Sequence, residues 1–226
     1  MATSALSAHG TLVQYGDAAS PEKFTTLAEV VTIDPPEQAA PEIDVTSHDS
    51  VANEYILSSC EDSGEFSIEA NYIGDATDTA VLGKLAGAAT NWQLCFPNWG
   101  AGPKTGTFTT TFATDIVNVA THGLTTGQPV RVTTSGADLP APLAIGTTYY
   151  VIYVAAGTFK LATTNALAVA GTEITITDDG TGTHTLQVGT RLSMAALVKT
   201  HKLNTDRTDK IGVNIGVRVT DALTIT

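Results

Sequence analysis

The chain reads as a mostly β protein built from two bodies, and three observations carry that reading. Two segments far apart in sequence, "EFSIEANY" (Glu65 to Tyr72) and "KIGVNIGVRV" (Lys210 to Val219), alternate apolar and polar residues with the period of two expected of half-buried strands. Between Gly106 and Gly189 the composition turns to Thr, Gly, Ala and Val, with short β-rich runs at roughly ten-residue spacing, the pattern of a small all-β module. One segment, "DATDTAVLGKLAGAAT", has helical spacing instead.

In chain order, "TLVQYG" from Thr11, "FTTLAEVVTI" from Phe24 to Ile33 and "EIDVTS" from Glu42 to Ser47 are short runs of β-formers punctuated by Pro35, Pro36 and Pro41. A long acidic bridge from Asp49 to Ser63 follows, then "EFSIEANY" with Phe66, Ile68, Ala70 and Tyr72 toward a core and Glu65 and Glu69 outward. The helix is expected to be capped by Asp78 and to bury Val81, Leu82, Leu85 and Ala89, with Gly83 and Gly87 weakening it. "WQLCFP" from Trp92 resumes a strand, and "NWGAGPKTG" from Asn98 to Gly106 is turn and linker chemistry. Within the middle module the runs are "DIVNVA", "QPVRVTT", "TYYVIYVA", "TFKLATT" and "TEITIT". After Gly189, "RLSMAALVK" is expected to turn Leu192, Met194, Ala196 and Val198 inward. In the last long strand Ile211, Val213, Ile215, Val217 and Val219 do the same.

The two outer segments each lack strand partners, so the simplest topology pairs them in one discontinuous domain, 1–105 with 190–226, and makes 106–189 an insertion. Charge is segregated along the same lines. Over 226 residues the net charge is −12, with fifteen acids and three bases in 1–105 and three acids and six bases in 190–226. Such an acidic surface argues against groove-filling nucleic-acid binding, which needs clustered Lys and Arg. "MATSALSAHGTLV" has no basic leader followed by an apolar run, and no stretch approaches membrane-spanning length, so a soluble protein assembled in a cytoplasm is expected, with no membrane partner.

Catalytic, metal and cofactor motifs find no support. His9, His48, His122, His184 and His201 are dispersed, and no metalloprotease, nucleophile-elbow or phosphate-loop spacing accompanies them. "SHDS" sets Ser47, His48 and Asp49 side by side, where strand neighbours point to opposite faces and cannot form a triad. Cys60 and Cys95 lack a CxxC spacing and read as free thiols, at least one of them buried. "CEDSGE" and "TDDGTGTH" gather acids without the alternating oxygen ligands of a calcium loop and read as turns. Tyr149, Tyr150 and Tyr153 suggest a glycan platform, although alternation sends one set into the core.

Taken together, "TTLAEVVTIDPPE", "EIDVTSHDS", "SGEFSIEANY", the short helix, "WQLCFP" and "DKIGVNIGVRVTDALTI", in this order, resemble the major tail tube protein of long-tailed bacteriophages. The resemblance covers roughly Thr11 to Pro97 and Thr190 to Thr226. It implies a β-sandwich or barrel with one short flanking helix, no enzyme activity and no cofactor. It also implies a virion protein that self-assembles into rings, usually hexameric, stacked as a tube through which genome DNA is ejected without specific binding. Tape measure, tail terminator and baseplate proteins would be its other partners. The inserted segment is similar to small β-modules, some immunoglobulin-like, that recur in phage structural proteins. On this reading Asp49, Val51, Asn53, Tyr55, Glu61 and Asp62 belong to an inter-ring stacking loop, and Glu65 and Glu69 are candidate lumen-facing acids. The alternative is a carbohydrate-binding or adhesin-like surface β-protein.

Overall fold

A computed structural model describes residues 8–100, 104–136, 138–205 and 210–226. The first seven residues, the Ala101–Pro103 part of the expected linker, and Asp209 at the head of the last alternating segment lie outside the described residues. In chain order the elements are β1 (Leu12–Gly16), β2 (Phe24–Thr26), β3 (Val30–Asp34), β4 (Glu42–Asp44), β5 (Tyr55–Leu57), β6 (Glu65–Asn71), α1 (Ala76–Leu82) and β7 (Thr90–Cys95). Then come β8 (Lys104–Thr111), β9 (Ile116–Asn118), β10 (Pro129–Thr134), β11 (Tyr149–Ala155), β12 (Thr158–Ala162), α2 (Asn165–Ala170), β13 (His184–Val188), β14 (Arg191–Asn204), β15 (Gly212–Val219) and β16 (Thr224–Ile225). The mostly β class is as the alternation predicts, with two short helices where the sequence suggested one.

Two compact units emerge: described residues within Met1–Leu27, Thr90–Ser193 and Thr224–Thr226 form the first, and Ala28–Ala89 with Met194–Leu223 the second. "FTTLAEVVTI" is therefore two strands rather than one. Glu29 takes a positive φ of 54° and breaks the run between β2 and β3, a left-handed conformation that a continuous strand cannot contain.

In the first unit β8 to β13 close into a barrel with neighbours in the order β10, β11, β12, β9, β8, β13. Phe108, Val117, Val130, Val132, Val151, Phe159, Leu161 and Leu186 fill it, each at most 3% exposed, so the interior is packed side chains rather than a channel. "TEITIT" does not become a strand. Its backbone is bonded elsewhere, Ile176 N–H to Asp115 Oδ1 at 2.7 Å and Thr177 N–H to Ala141 O at 2.8 Å. The missed helix α2 starts at Thr164, whose hydroxyl accepts from Leu167 N–H, and stops at Gly171.

The same unit holds an antiparallel β2–β1–β7 sheet with Tyr15 opposite Trp92 and Gln14 opposite Gln93. One face is apolar, with Val13, Tyr15, Trp92 and Leu94 at most 7% exposed. The other carries a buried polar chain. Gln93 Nε2 donates to Gln14 Oε1 at 2.8 Å, Gln128 Nε2 donates to Gln93 Oε1 at 3.1 Å, and Arg191 Nη1 donates to Gln128 Oε1. Buried polar groups are costly unless bonded, so this chain fixes one seating of the barrel on the sheet. The β2 edge is closed by the barrel as well. Phe24 N–H reaches Thr126 O at 2.8 Å, Thr26 N–H reaches Asn165 Oδ1 at 2.9 Å, and Asn165 Nδ2 donates to Phe24 O at 2.8 Å. Gly127 permits the approach, since a Cβ there would lie 1.9 Å from Phe24 O and its φ is +91°.

In the second unit β6 pairs with β15 and with β3, and β15 pairs with β14, all antiparallel. Phe66, Ile68 and Ala70 face Val217, Ile215 and Val213 across the ladder, and all six are at most 5% exposed. The expected inward positions of these strands hold with three exceptions: Tyr72, just past β6, is 36% exposed, Ile211, ahead of β15, is 46% exposed, and at the start of β14, within the first unit, Leu192 is half-buried while Arg191 is buried. Helix α1 is capped by Asp75, whose Oδ1 accepts from Thr77 and Asp78 N–H. Asp78 reaches back instead to Ile73 and Gly74 N–H at 3.2 and 2.8 Å. Gly83 ends the helix after seven residues, so Val81 is buried but Leu82 and Leu85 are 49% and 40% exposed.

Gly127→Ala is expected to lower the free energy of unfolding by about 1–3 kcal/mol, the usual cost of forcing an extra methyl into packed structure. Urea denaturation followed by tryptophan fluorescence checks this; an unchanged midpoint would mean the barrel does not approach β2 this closely.

Candidate functional site: an apolar, acidic hairpin

The long bridge that the sequence leaves as a polar loop folds back on itself. Tyr55–Leu57 pairs with Glu42–Asp44 in antiparallel register, Ile43 opposite Ile56, and among the described residues this sheet has two strands. The ribbon extends both ways from the ladder. Val45 N–H bonds Glu54 O at 2.9 Å toward the tip, and Ser58 N–H bonds Pro41 O at 2.7 Å toward the root. At the root Ala39 and Asp62 exchange N–H···O bonds of 2.9 and 2.8 Å.

Both faces of the ribbon meet solvent. Ile43, Val45 and Ile56 lie with Glu54 on one face and are 47%, 42% and 53% exposed, while Tyr55 and Leu57 lie with Glu42 and Asp44 on the other at 54% and 67%. Val51 at the tip is fully exposed. These exposed aliphatics are clustered on one short ribbon rather than scattered singly over the surface. From Ala39 to Asp62 the acids are Glu42, Asp44, Asp49, Glu54, Glu61 and Asp62, with no Lys or Arg.

The tip is organised by short polar side chains. Ser47 Oγ donates to Asp49 Oδ1 at 2.5 Å, Thr46 N–H donates to Asp44 Oδ1 at 2.9 Å, and Glu54 N–H donates to Thr46 Oγ1 at 2.9 Å. These bonds hold the Asp49 and Asp44 carboxyls below the usual range, the Ser47 and Thr46 side chains acting first. Thus Ser47 and Asp49 touch through a turn bond, and His48 is exposed beside them.

The root is anchored to the body of its own unit. Gly64, at φ +76°, lies where a Cβ would come 2.2 Å from Glu37 O. Arg218 Nη2 donates to Asp62 Oδ1 at 2.7 Å, and Lys199 Nζ pairs with Glu65 Oε1 at 2.7 Å, with Arg218 Nη1 3.6 Å from the same oxygen. The Asp62 carboxyl is lowered by the Gly64 N–H and then by Arg218, and the Glu65 carboxyl by Lys199.

Of the eight residues singled out from the sequence, Asp49, Val51 and Asn53 lie at the tip, Tyr55 in β5, and Glu61 and Asp62 at the root. Glu65 and Glu69 share the outward face of β6, where Arg218 and Asn214 stand opposite them on β15. That face is not uniformly acidic, because Lys199, Lys202 and Arg218 from β14 and β15 interleave with the carboxylates. Glu69 has no ion-pair partner among the described residues. The apolar residues Ile43, Val45, Ile56 and Leu57 were not singled out as site residues; Ile43 and Val45 alternate with acids and Thr in "EIDVTS", and "YIL" is a three-residue apolar run inside the bridge, too short to stand out.

Elsewhere, Asp178 and Asp179 close loops rather than face one another. Asp178 Oδ1 accepts from Ala141 and Gly180 N–H, and Asp179 Oδ1 from Thr110 Oγ1 and Phe112 N–H. Tyr149 is buried, with its hydroxyl oxygen accepting from Ala144 N–H, which removes it from any glycan platform. Among the described residues no group of three or more His, Cys, Asp or Glu is placed to hold a metal ion, and no helix is long and apolar enough to cross a membrane. Cys60 is exposed, and burial pushes the Cys95 thiol up to about 12.

No protein-family model and no curated protein matches the chain. Among solved structures it is similar to a chain of the sixfold-symmetrised cryo-EM structure of the anti-feeding prophage baseplate. The two align at 9% identity over 100% of this chain and 97% of that one with a TM-score of 0.45, below the level at which two chains share a fold.

Because both root carboxyls titrate lower in the folded chain than in the unfolded one, their contribution is complete above the ordinary carboxylate pKa of about 4 and is lost as pH falls through the folded values. The unfolding midpoint of the wild type is therefore expected to fall more on acidification below about pH 4 than that of Asp62→Asn/Glu65→Gln. Equal acid sensitivity of the two proteins would show that these pairs do not stabilise the root.

Proposed function

We propose that the chain is a structural subunit of a phage-type tail that self-assembles by docking the β4–β5 hairpin of one copy on another. The observation that carries this is the hairpin itself. A two-stranded ribbon is at best marginally stable in water, and this one keeps apolar side chains on both faces uncovered. A partner that covers them supplies the burial it lacks, at about 25 cal/mol for each Å² removed from water. The ordered resemblance of the outer segments to tail tube proteins supports the same reading.

In its finer form the reading is of rings, hexameric by analogy, stacked into a tube within the virion, with tape measure, terminator and baseplate proteins at its ends. Residues 1–105 and 190–226 then form the tube domain and 106–189 an inserted decoration module akin to immunoglobulin-like ones. No catalytic role belongs to this reading. Genome DNA passes without specific binding, and Glu69 is the better candidate for a lumen-facing repulsive charge because Glu65 is already held by Lys199.

Purified wild-type protein is expected to sediment as rods at high concentration. Ile43→Ser/Ile56→Ser is expected to stay monomeric with its unfolding free energy within about 0.5 kcal/mol of wild type, since neither side chain is buried in the monomer. Rods of normal length from the double variant would remove the hairpin's role. A wild-type protein that remains monomeric and binds a glycan array would favour the adhesin instead.

A further inference from the structure

We propose that the seat for the hairpin, on a second copy of this chain, is the groove between the exit turn of α1 and strand β14. This rests on the self-assembly reading above and names its receptor. The groove encloses about 560 Å³ and is walled by Leu85, Ala86, Leu197 and Val198 together with the cations Lys199 and Arg218. Its floor is fixed by a backbone bridge between Leu85 and Val198. Because Gly83 stops α1 early, Leu85 is left 40% exposed instead of being buried by another helical turn.

Charge and polarity select the occupant. Among the described residues the groove's lining is apolar with two cations, which pair at its margin with Glu65 and Asp62, and the hairpin offers Ile43, Val45 and Ile56 with Glu54 on one face and no Lys or Arg. Lys199 and Arg218 already bond Glu65 and Asp62, yet their side chains remain 58% and 42% exposed. An ammonium has three N–H donors and a guanidinium five, so each cation has donors left for a second carboxylate.

Geometry excludes self-insertion. Arg218 both walls the groove and bonds Asp62 at the hairpin's own root. The tip lies about ten extended residues farther out, roughly 30 Å at 3.3 Å per residue. A hydrogen-bonded ribbon of that length cannot turn back on its root, so the groove receives the hairpin of another molecule. Groove and hairpin are different surfaces, which makes the contact head-to-tail and lets it propagate from copy to copy.

Disulfide trapping tests this. In a Cys60→Ser background carrying Ile56→Cys and Leu85→Cys, rods collected by sedimentation and oxidised are expected to give a ladder of covalent multimers on a denaturing gel, and each single variant none beyond a dimer. On the unaltered protein, zero-length carbodiimide cross-linking of rods is expected to join Lys199 to Glu54 between copies. Rods that yield neither linkage overturn the groove as the seat while leaving assembly intact, as does a disulfide closed within one chain. Wild-type protein that forms no rods at all overturns both the seat and the assembly reading beneath it.

Discussion

Backbone hydrogen bonds and a few short polar side chains at the tip hold the β4–β5 hairpin together, and its aliphatic side chains on both faces are 42–67% exposed among the described residues. That constraint governs the rest of the account. A ribbon of two strands gains little from pairing and loses chain entropy by being ordered, so on the proposed reading Ile43, Val45, Ile56 and Leu57 gain their burial from a second copy rather than from the monomer. The root is arranged to make that possible. Gly64 allows the chain to pass Glu37 closely, the Ala39–Asp62 bonds start the ladder, and Arg218 ties Asp62 to β15. The hairpin is thus anchored at one end and free at the other.

The first unit shows the opposite treatment of an unpaired strand. Sheet edges left open invite association with another chain, and the β2 edge is closed internally by Thr126 and Asn165 of the barrel segment. The buried chain from Gln14 through Gln93 and Gln128 to Arg191 then admits one seating of barrel on sheet, because shifting it would strand several buried amides at once. The protein leaves unpaired apolar surface on the hairpin while blunting it at β2, and this asymmetry favours an interface made by the hairpin over one made by continuing that edge.

Period-two alternation made the second-unit core legible: Phe66, Ile68 and Ala70 against Val213, Ile215 and Val217 are where the pattern put them. What the pattern could not show were effects that depend on distant partners. β5 is three residues long and takes its identity from β4, so "YIL" alone carried no signal. "TEITIT" has strand composition, yet Asp115 and Ala141 take its amides. Barrel closure depends on β8 meeting β13, a pairing between residues some eighty positions apart, and the buried Arg191 is legible only once Gln128 is beside it. The acidic bridge was visible from its charges, whereas the exposed aliphatics between them, on which the proposed docking rests, were not.

Hydrogen exchange measured by mass spectrometry on dilute and on concentrated protein addresses the central claim directly. If copies cover the hairpin, peptides spanning Pro41 to Leu57 slow markedly on concentration, while barrel peptides such as Thr158 to Ala162 change little. Unaltered exchange through the hairpin at concentrations where the protein sediments as rods would contradict the account.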